Sequence, residues 1–146
     1  MKQVLIDTEI FIDHLTTNKK ESSLMKLLGR YNCFTTVINA MEIYEKVGRQ
    51  NKRYADMVLY PLKVLGIPSR YAEKVIDIME LSKIKKNKSL RDILIVMMAV
   101  QNDLILATFD IKKYSDFVNL KLLKINKGGL IDTWKSNRHS MGNQKR

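Results

Sequence analysis

The sequence is poor in the residues that staple small domains or bind soft metals. It has one cysteine, Cys33, so it forms no internal disulfide, and its thiol chemistry fits a reducing interior; the expectation is a cytoplasmic protein. With that single cysteine and only two histidines, His14 and His139, a structural zinc site is excluded. No apolar run approaches the ~20 residues that a membrane span needs. The short apolar run after Lys2 breaks at Asp7, too early for a signal peptide. No glycine-rich loop follows that run, which argues against a Rossmann or P-loop nucleotide site. Acid is scarce as well: 15 Asp and Glu stand against 26 Lys and Arg, a net charge of +11. Such an excess suits a polyanionic partner such as nucleic acid.

What is present reads as one α/β domain. A chain of 146 residues buries a sizeable core. Val4, Leu5 and Ile6 predict a buried strand that ends in Asp7-Thr8, and helical spacing resumes with Ile10, Phe11 and Leu15. Residues 21–30 predict a helix with Leu24, Leu27 and Leu28 on one face, and residues 33–37 a second strand. Asn39 is expected to cap the next helix, which runs to Val47 and closes near Gly48; residues 52–60 continue helically to Pro61. Residues 63–67 form a third strand candidate, and residues 70–83 another helix. Ser89 opens a helix over 90–101 that is apolar almost all round and belongs deep in the fold. Residues 104–108 and 120–125 complete five strands. Strands alternating with helices imply a parallel sheet covered on both faces. The domain is expected to span 1–127, and 128–146 to be a basic, loosely held tail anchored at most by Ile131 and Trp134.

Four acids stand out by position. Asp7 follows the first strand and Asp110 the fourth; Glu42 and Asp92 fall in the first turns of the helices after residues 33–37 and Ser89. In a parallel α/β fold, strand carboxyl ends and the amino ends of the following helices share one edge, where ligands gather. Asp7, Glu42 and Asp110 therefore belong to one rim, joined by Asp92 if its helix starts there. Each acid also has a plain structural reading: Asn39-x-x-Glu42 and Ser89-x-x-Asp92 resemble capping boxes, and Asp7 and Asp110 are placed to cap helices. Burial of Asp92 on an apolar helix weighs against leaving it without a partner. Two carboxylates ~4 Å apart repel by about 4 kcal/mol at an effective dielectric of ~20. Such a group must take up protons or a cation, and oxygen-only donors select a hard ion, Mg²⁺ or Mn²⁺. That ion would bridge the acids to a phosphodiester, while Lys and Arg hold the polyanion.

The order Ile6-Asp7-Thr8, TTVINAME over 35–42, RDILIVMMA over 91–99 and LATFD over 106–110 resembles PIN-domain nucleases, and more narrowly VapC-like toxins of toxin–antitoxin pairs. The resemblance implies a three-layer α/β/α sandwich on a parallel sheet of about five strands. It also implies Mg²⁺- or Mn²⁺-dependent cleavage of RNA, a cognate antitoxin partner and a homodimer. It matches Asp7, Glu42 and Asp92 to the family's acids, Asp110 to a more variable fourth position, and Thr8 and Thr108 to hydroxyl positions beside the metal. Two departures stand out: Asn39 replaces the usual Thr or Ser, and a longer link after Asp110 lets Asp116 compete for the fourth role. The basic run Lys83, Lys85, Lys86, Lys88 and Arg91 leads into Asp92 and is expected either to grip RNA phosphates or to be a solvated connector. Two alternatives remain open. A haloacid-dehalogenase-like phosphatase would need a second Asp where Glu9 stands, and a non-catalytic PIN-like scaffold would bind RNA without cutting it.

Overall fold

The structure, a computed structural model, describes residues 1–17, 21–82 and 88–127, together with the backbone of 130–136. The described residues form six strands and seven α-helices: β1 (Gln3–Ile6), α1 (Thr8–Thr16), α2 (Ser23–Arg30), β2 (Asn32–Thr36), α3 (Val37–Val47), α4 (Lys52–Leu59) and β3 (Lys63–Leu65) come first. Then follow α5 (Lys74–Ser82), α6 (Leu90–Gln101), β4 (Ile105–Thr108), α7 (Ile111–Tyr114), β5 (Lys121–Asn126) and β6 (Leu130–Ser136). The strand order is β3-β2-β1-β4-β5-β6. The five strands read from the sequence are all parallel.

The period-2 alternation of each strand sends successive side chains to opposite layers. Val4 and Ile6 of β1, Ile105 and Ala107 of β4, and Leu123 and Ile125 of β5 pack with α1, α2, α3 and α4. Leu5, Leu106 and Leu122 pack on the other side with α5, α6 and α7. Helices cover both faces, so β1 and β4 are continuous apolar runs rather than half-polar ones. The result is the expected α/β/α sandwich. The helix α6 lies where its composition put it, with Ile93, Ile95, Val96, Met97, Met98 and Ala99 all buried.

Local structure differs from the sequence reading in three places. Asn39 is not the cap of α3. Thr36 is, its side chain accepting from the Asn39 N–H at 3.3 Å while the Asn39 side chain accepts from the Thr36 N–H at 3.2 Å. The strand β2 thus feeds its helix with no loop, and Glu42 falls in the second turn of α3, not the first. The helix expected over 70–83 divides into a short 3₁₀ turn (Ser69–Tyr71) and α5. A one-turn helix, α7, follows Asp110 and is capped by it, as the capping reading of that acid expected. Finally, the backbone of 130–136, expected to belong to a loose tail, forms β6 and pairs antiparallel with β5.

Candidate active site

From β1 the chain works outward through β2 to β3, then returns to β4 on the other flank of β1 and moves outward again. The order therefore reverses at β1, and the crevice beyond the carboxyl ends of β1 and β4 is the topological switch point, where open α/β sheets bind ligands. Asp7 sits in that crevice. Its N–H donates to the Ala107 carbonyl at 3.0 Å, which ties the end of β1 to β4. Its side chain is almost wholly buried and every oxygen is used. Oδ1 accepts from the Thr8 N–H at 2.9 Å, and so caps α1. Oδ2 accepts from Thr108 Oγ1 at 3.1 Å and from the Tyr114 hydroxyl at 2.9 Å.

The other two acids come from the front turns of α3 and α6. Glu42 accepts from Thr8 Oγ1 at 2.5 Å. That hydroxyl is oriented by Asn39, whose Nδ2 donates to it at 2.9 Å. With donors already on its oxygen, Thr8 has its one proton left for Glu42. Asp92 lies in the first turn of α6, whose cap is Ser89: the Ser89 hydroxyl accepts from the Asp92 N–H at 3.1 Å. Its carboxylate is turned toward Arg91 and Lys113, at 3.1 and 3.5 Å.

All three acids converge on one guanidinium, that of Arg91. Nη2 donates to Asp7 Oδ1 at 2.9 Å and to Glu42 Oε1 at 2.8 Å; Nε donates to Glu42 Oε2 at 3.1 Å; Nη1 donates to Asp92 Oδ1 at 3.1 Å and to the Tyr114 hydroxyl at 2.6 Å. Burial alone would lower the Arg91 pKa. The hydrogen bond to Glu42 and the charge of Asp7 outweigh it and hold the group well above its ordinary value. Burial, then the charge of Asp7, pushes the Tyr114 hydroxyl far up, so it stays a protonated donor.

The remaining residues singled out from the sequence are placed as follows. Thr8 and Thr108 are buried in the cluster, both bonded to its carboxylates. Asp110 is exposed and caps α7, accepting from the Lys113 N–H at 3.2 Å; its own N–H donates to Thr108 Oγ1 at 3.1 Å. It therefore stands beside the cluster but is not an acceptor for Arg91. Asp116 pairs with Lys88 at 3.4 Å, and Lys88 also donates to the Lys113 carbonyl at 3.1 Å, so this pair ties the start of α6 to the loop after α7. Arg91 points into the acids. Lys83, Lys85 and Lys86 lie outside the described residues. Glu9 lines a cavity of about 210 Å³ with Thr8, Ile12, Glu42, Glu45 and Lys46, which opens the cluster to solvent beside Glu42. A larger cavity of about 370 Å³, lined by Ile12, Leu15, Lys46, Val47 and Tyr54 among others, contains none of the acids. Cys33 is buried and its thiol is pushed up to about 11 by that burial, so it is no nucleophile.

Sequence reasoning missed Tyr114, Asn39 in its orienting role, and the inward turn of Arg91. Asn39 was findable, since it precedes Glu42 by three residues and so shares its helix face. The donor chemistry of the cluster fits a small hard cation: three carboxylates, no sulfur, no imidazole. As arranged, however, no three His, Cys, Asp or Glu among the described residues form a group ready to hold a metal ion together. The guanidinium stands between them.

A buried acidic cluster at the switch point of a three-layer α/β/α sandwich defines the class, a parallel α/β domain with its site at the strand carboxyl ends. The chain belongs to the PIN-domain family, whose profile matches residues 4–117. No curated protein sequence matches it significantly. Among solved structures it is similar to VapBC2 from Rickettsia felis bound to a DNA fragment from their promoter, with 18% identity, a TM-score of 0.68, and 82% of this chain and 96% of that one covered. It is also similar to a toxin–antitoxin complex from Klebsiella pneumoniae (22% identity, TM-score 0.62, 76% and 89% covered). VapBC-1 from nontypeable Haemophilus influenzae gives 15% identity, a TM-score of 0.60, and 78% and 91% covered. At such identities the likeness is one of fold. Among the described residues no helix is long and apolar enough to cross a membrane.

Proposed function

We propose that this chain is a divalent-metal-dependent endoribonuclease, the toxin of a toxin–antitoxin pair. The observation that carries the reading is the meeting of Asp7, Glu42 and Asp92 on one positive group at the switch point of the sheet. Those three side chains would hold Mg²⁺ or Mn²⁺, with Asp110 as a neighbouring fourth acid. Bound there, the ion supplies Lewis acidity, which neutralises charge on the phosphodiester and makes water a better nucleophile. The chain's own residues do the rest. Thr108 and Tyr114 fix the Asp7 carboxylate in one rotamer by two donated hydrogen bonds. Thr8, its hydroxyl oriented by Asn39, fixes Glu42 by one donated hydrogen bond. The net charge of +11 draws in the polyanion, and Lys85, Lys86 and Lys88 grip its phosphates.

The partner assignment rests on the fold likeness to toxin–antitoxin complexes. A cognate antitoxin would cover the acid rim, and the chain would act as a homodimer in the cytoplasm.

The test is cleavage of a mixed RNA pool in Mn²⁺ by the wild type, Asp7→Asn and Asp92→Asn. Each variant is expected to lose at least about 100-fold in rate, the upper end of what disturbing a metal ligand's supporting contacts costs. Cleavage at the native rate by either variant refutes the assignment. Hydrolysis of small phosphate esters with no RNA cleavage refutes it in favour of a phosphatase.

A further inference from the structure

The Arg91 guanidinium is placed unlike a surface cation. Its three nitrogens make contacts of 2.6 to 3.3 Å with Asp7, Thr8, Glu42, Asp92 and Tyr114. Every nitrogen has a partner, and the side chain is only 22% exposed. One oxygen or more from each of the three acids lies within 3.1 Å of this one group. A dication bound to the same oxygens has to stand where the guanidinium stands, because two cations in one carboxylate cage repel and compete for the same lone pairs. The planar fork satisfies several acceptors at once, which a lysine in that position would not.

We propose that Arg91 is an internal latch, a built-in counter-ion that holds the metal's place in the resting protein and must swing out for the ion to enter. The proposal rests on the metal-dependent reading above and adds its regulation. Metal affinity is then reduced by the fraction of molecules in which Arg91 is out, which guards against charging the site at low metal concentration. The freed guanidinium, still at the rim and always charged, becomes a donor for a phosphate of the incoming polyanion. Metal and polyanion thus favour the same open arrangement, and each tightens the other's binding.

Two measurements on the full chain test this. In the first, Mn²⁺ binding to the wild type, Arg91→Gln and Asp7→Asn is followed through the paramagnetic resonance signal of the free ion. Arg91→Gln is expected to bind Mn²⁺ about tenfold more tightly, a typical size for coupled sites, and Asp7→Asn more weakly than the wild type. Equal or weaker binding by Arg91→Gln, with Asp7→Asn still impaired, overturns the latch and leaves the metal site standing. No binding by wild type and Arg91→Gln alike overturns both. The second needs no disruptive variant. Wild-type protein labelled with ¹⁵N is titrated with Mg²⁺, and the Arg91 Nε–H signal, assigned by its disappearance in Arg91→Lys, is followed beside the amides of Asp7 and Asp92. The signal is expected to move to the position of a solvated arginine as those amides shift. An Arg91 signal unchanged while the amides saturate overturns the latch.

Discussion

Replacing Tyr114 by Phe removes one oxygen from the centre of the cluster and nothing else. The ring is fully buried and stays so, which leaves its packing against the α5–α6 side of the sheet intact. Two contacts go. Asp7 Oδ2 loses a donor at 2.9 Å, and Arg91 Nη1 loses an acceptor at 2.6 Å. Arg91 Nη1 keeps Asp92 as a partner, and Asp7 Oδ2 keeps Thr108 at 3.1 Å, so neither group is orphaned. The loss is then that of a hydrogen bond to a buried charge, about 2 kcal/mol. In a chain of this size that lowers the melting temperature by about 6 °C. Thr108→Val takes away the other donor to the same oxygen, together with the acceptor of the Asp110 N–H, and on its own costs about 2 kcal/mol. Together the two changes leave Oδ2 buried with no donor, so the double variant exceeds the sum of the single ones by about 1 kcal/mol. Urea unfolding in EDTA reads all three, the midpoint moving with the slope unchanged. A Tyr114→Phe protein within about 0.5 kcal/mol of the wild type, the scatter of surface substitutions, would refute the placement of this hydroxyl. Strict additivity would refute the sharing of one oxygen.

Two further outcomes follow from the same contacts. Asn39 is fully buried, and its truncation to Ala strips partners from both Thr8 and Thr36; a loss of about 2 to 3 kcal/mol in urea unfolding is expected, and a loss below about 0.5 kcal/mol refutes the orienting role. At the far end of α1, His14 shares a 2.7 Å hydrogen bond with Ser22, the cap of α2. Burial lowers the His14 pKa below its ordinary 6.5, with Asp13 opposing. The unfolded chain therefore takes up the proton more readily than the folded one. This part of the stability is present above about pH 6.5 and is lost as the pH falls below it. His14→Gln is expected to flatten the acid limb of stability against pH, and an unchanged limb refutes the assignment.

Strong periodic signals in the chain translated directly into structure. The apolar run of β1, the all-round apolar helix α6 and the alternation of strands with helices each have one low-energy solution, a sheet buried on both faces. The acids after β1 and in the following helices were legible for the same reason, because that topology puts them on one rim. Asp92 alone had to be placed by three-dimensional packing, which brings the start of α6 to the same crevice. The cap of α3 was misread because Thr36 looked like the end of a strand; it is both, a strand residue whose hydroxyl starts the next helix. The strand β6 was hidden by the basic composition after it, although Gly128-Gly129 between two runs of β-forming residues is a hairpin signal. Arg91 was grouped by charge with the basic run before it, to grip RNA phosphates or to be solvated. Nothing in a sequence says which way a long cation turns when acids from two other helices lie behind it.

An open sheet ends in two raw borders, each a row of amides and carbonyls that a stranger's strand can join. Here one border, β3, is three residues long and begins with Lys63, too short and too charged to recruit much. The other would be β5, six residues rich in leucine and isoleucine, had β6 not been laid against it. The seven residues of β6 therefore act as a selvedge. Trimming the chain at residue 129 would spare every acid in the crevice and yet leave a sticky seam along the whole of β5.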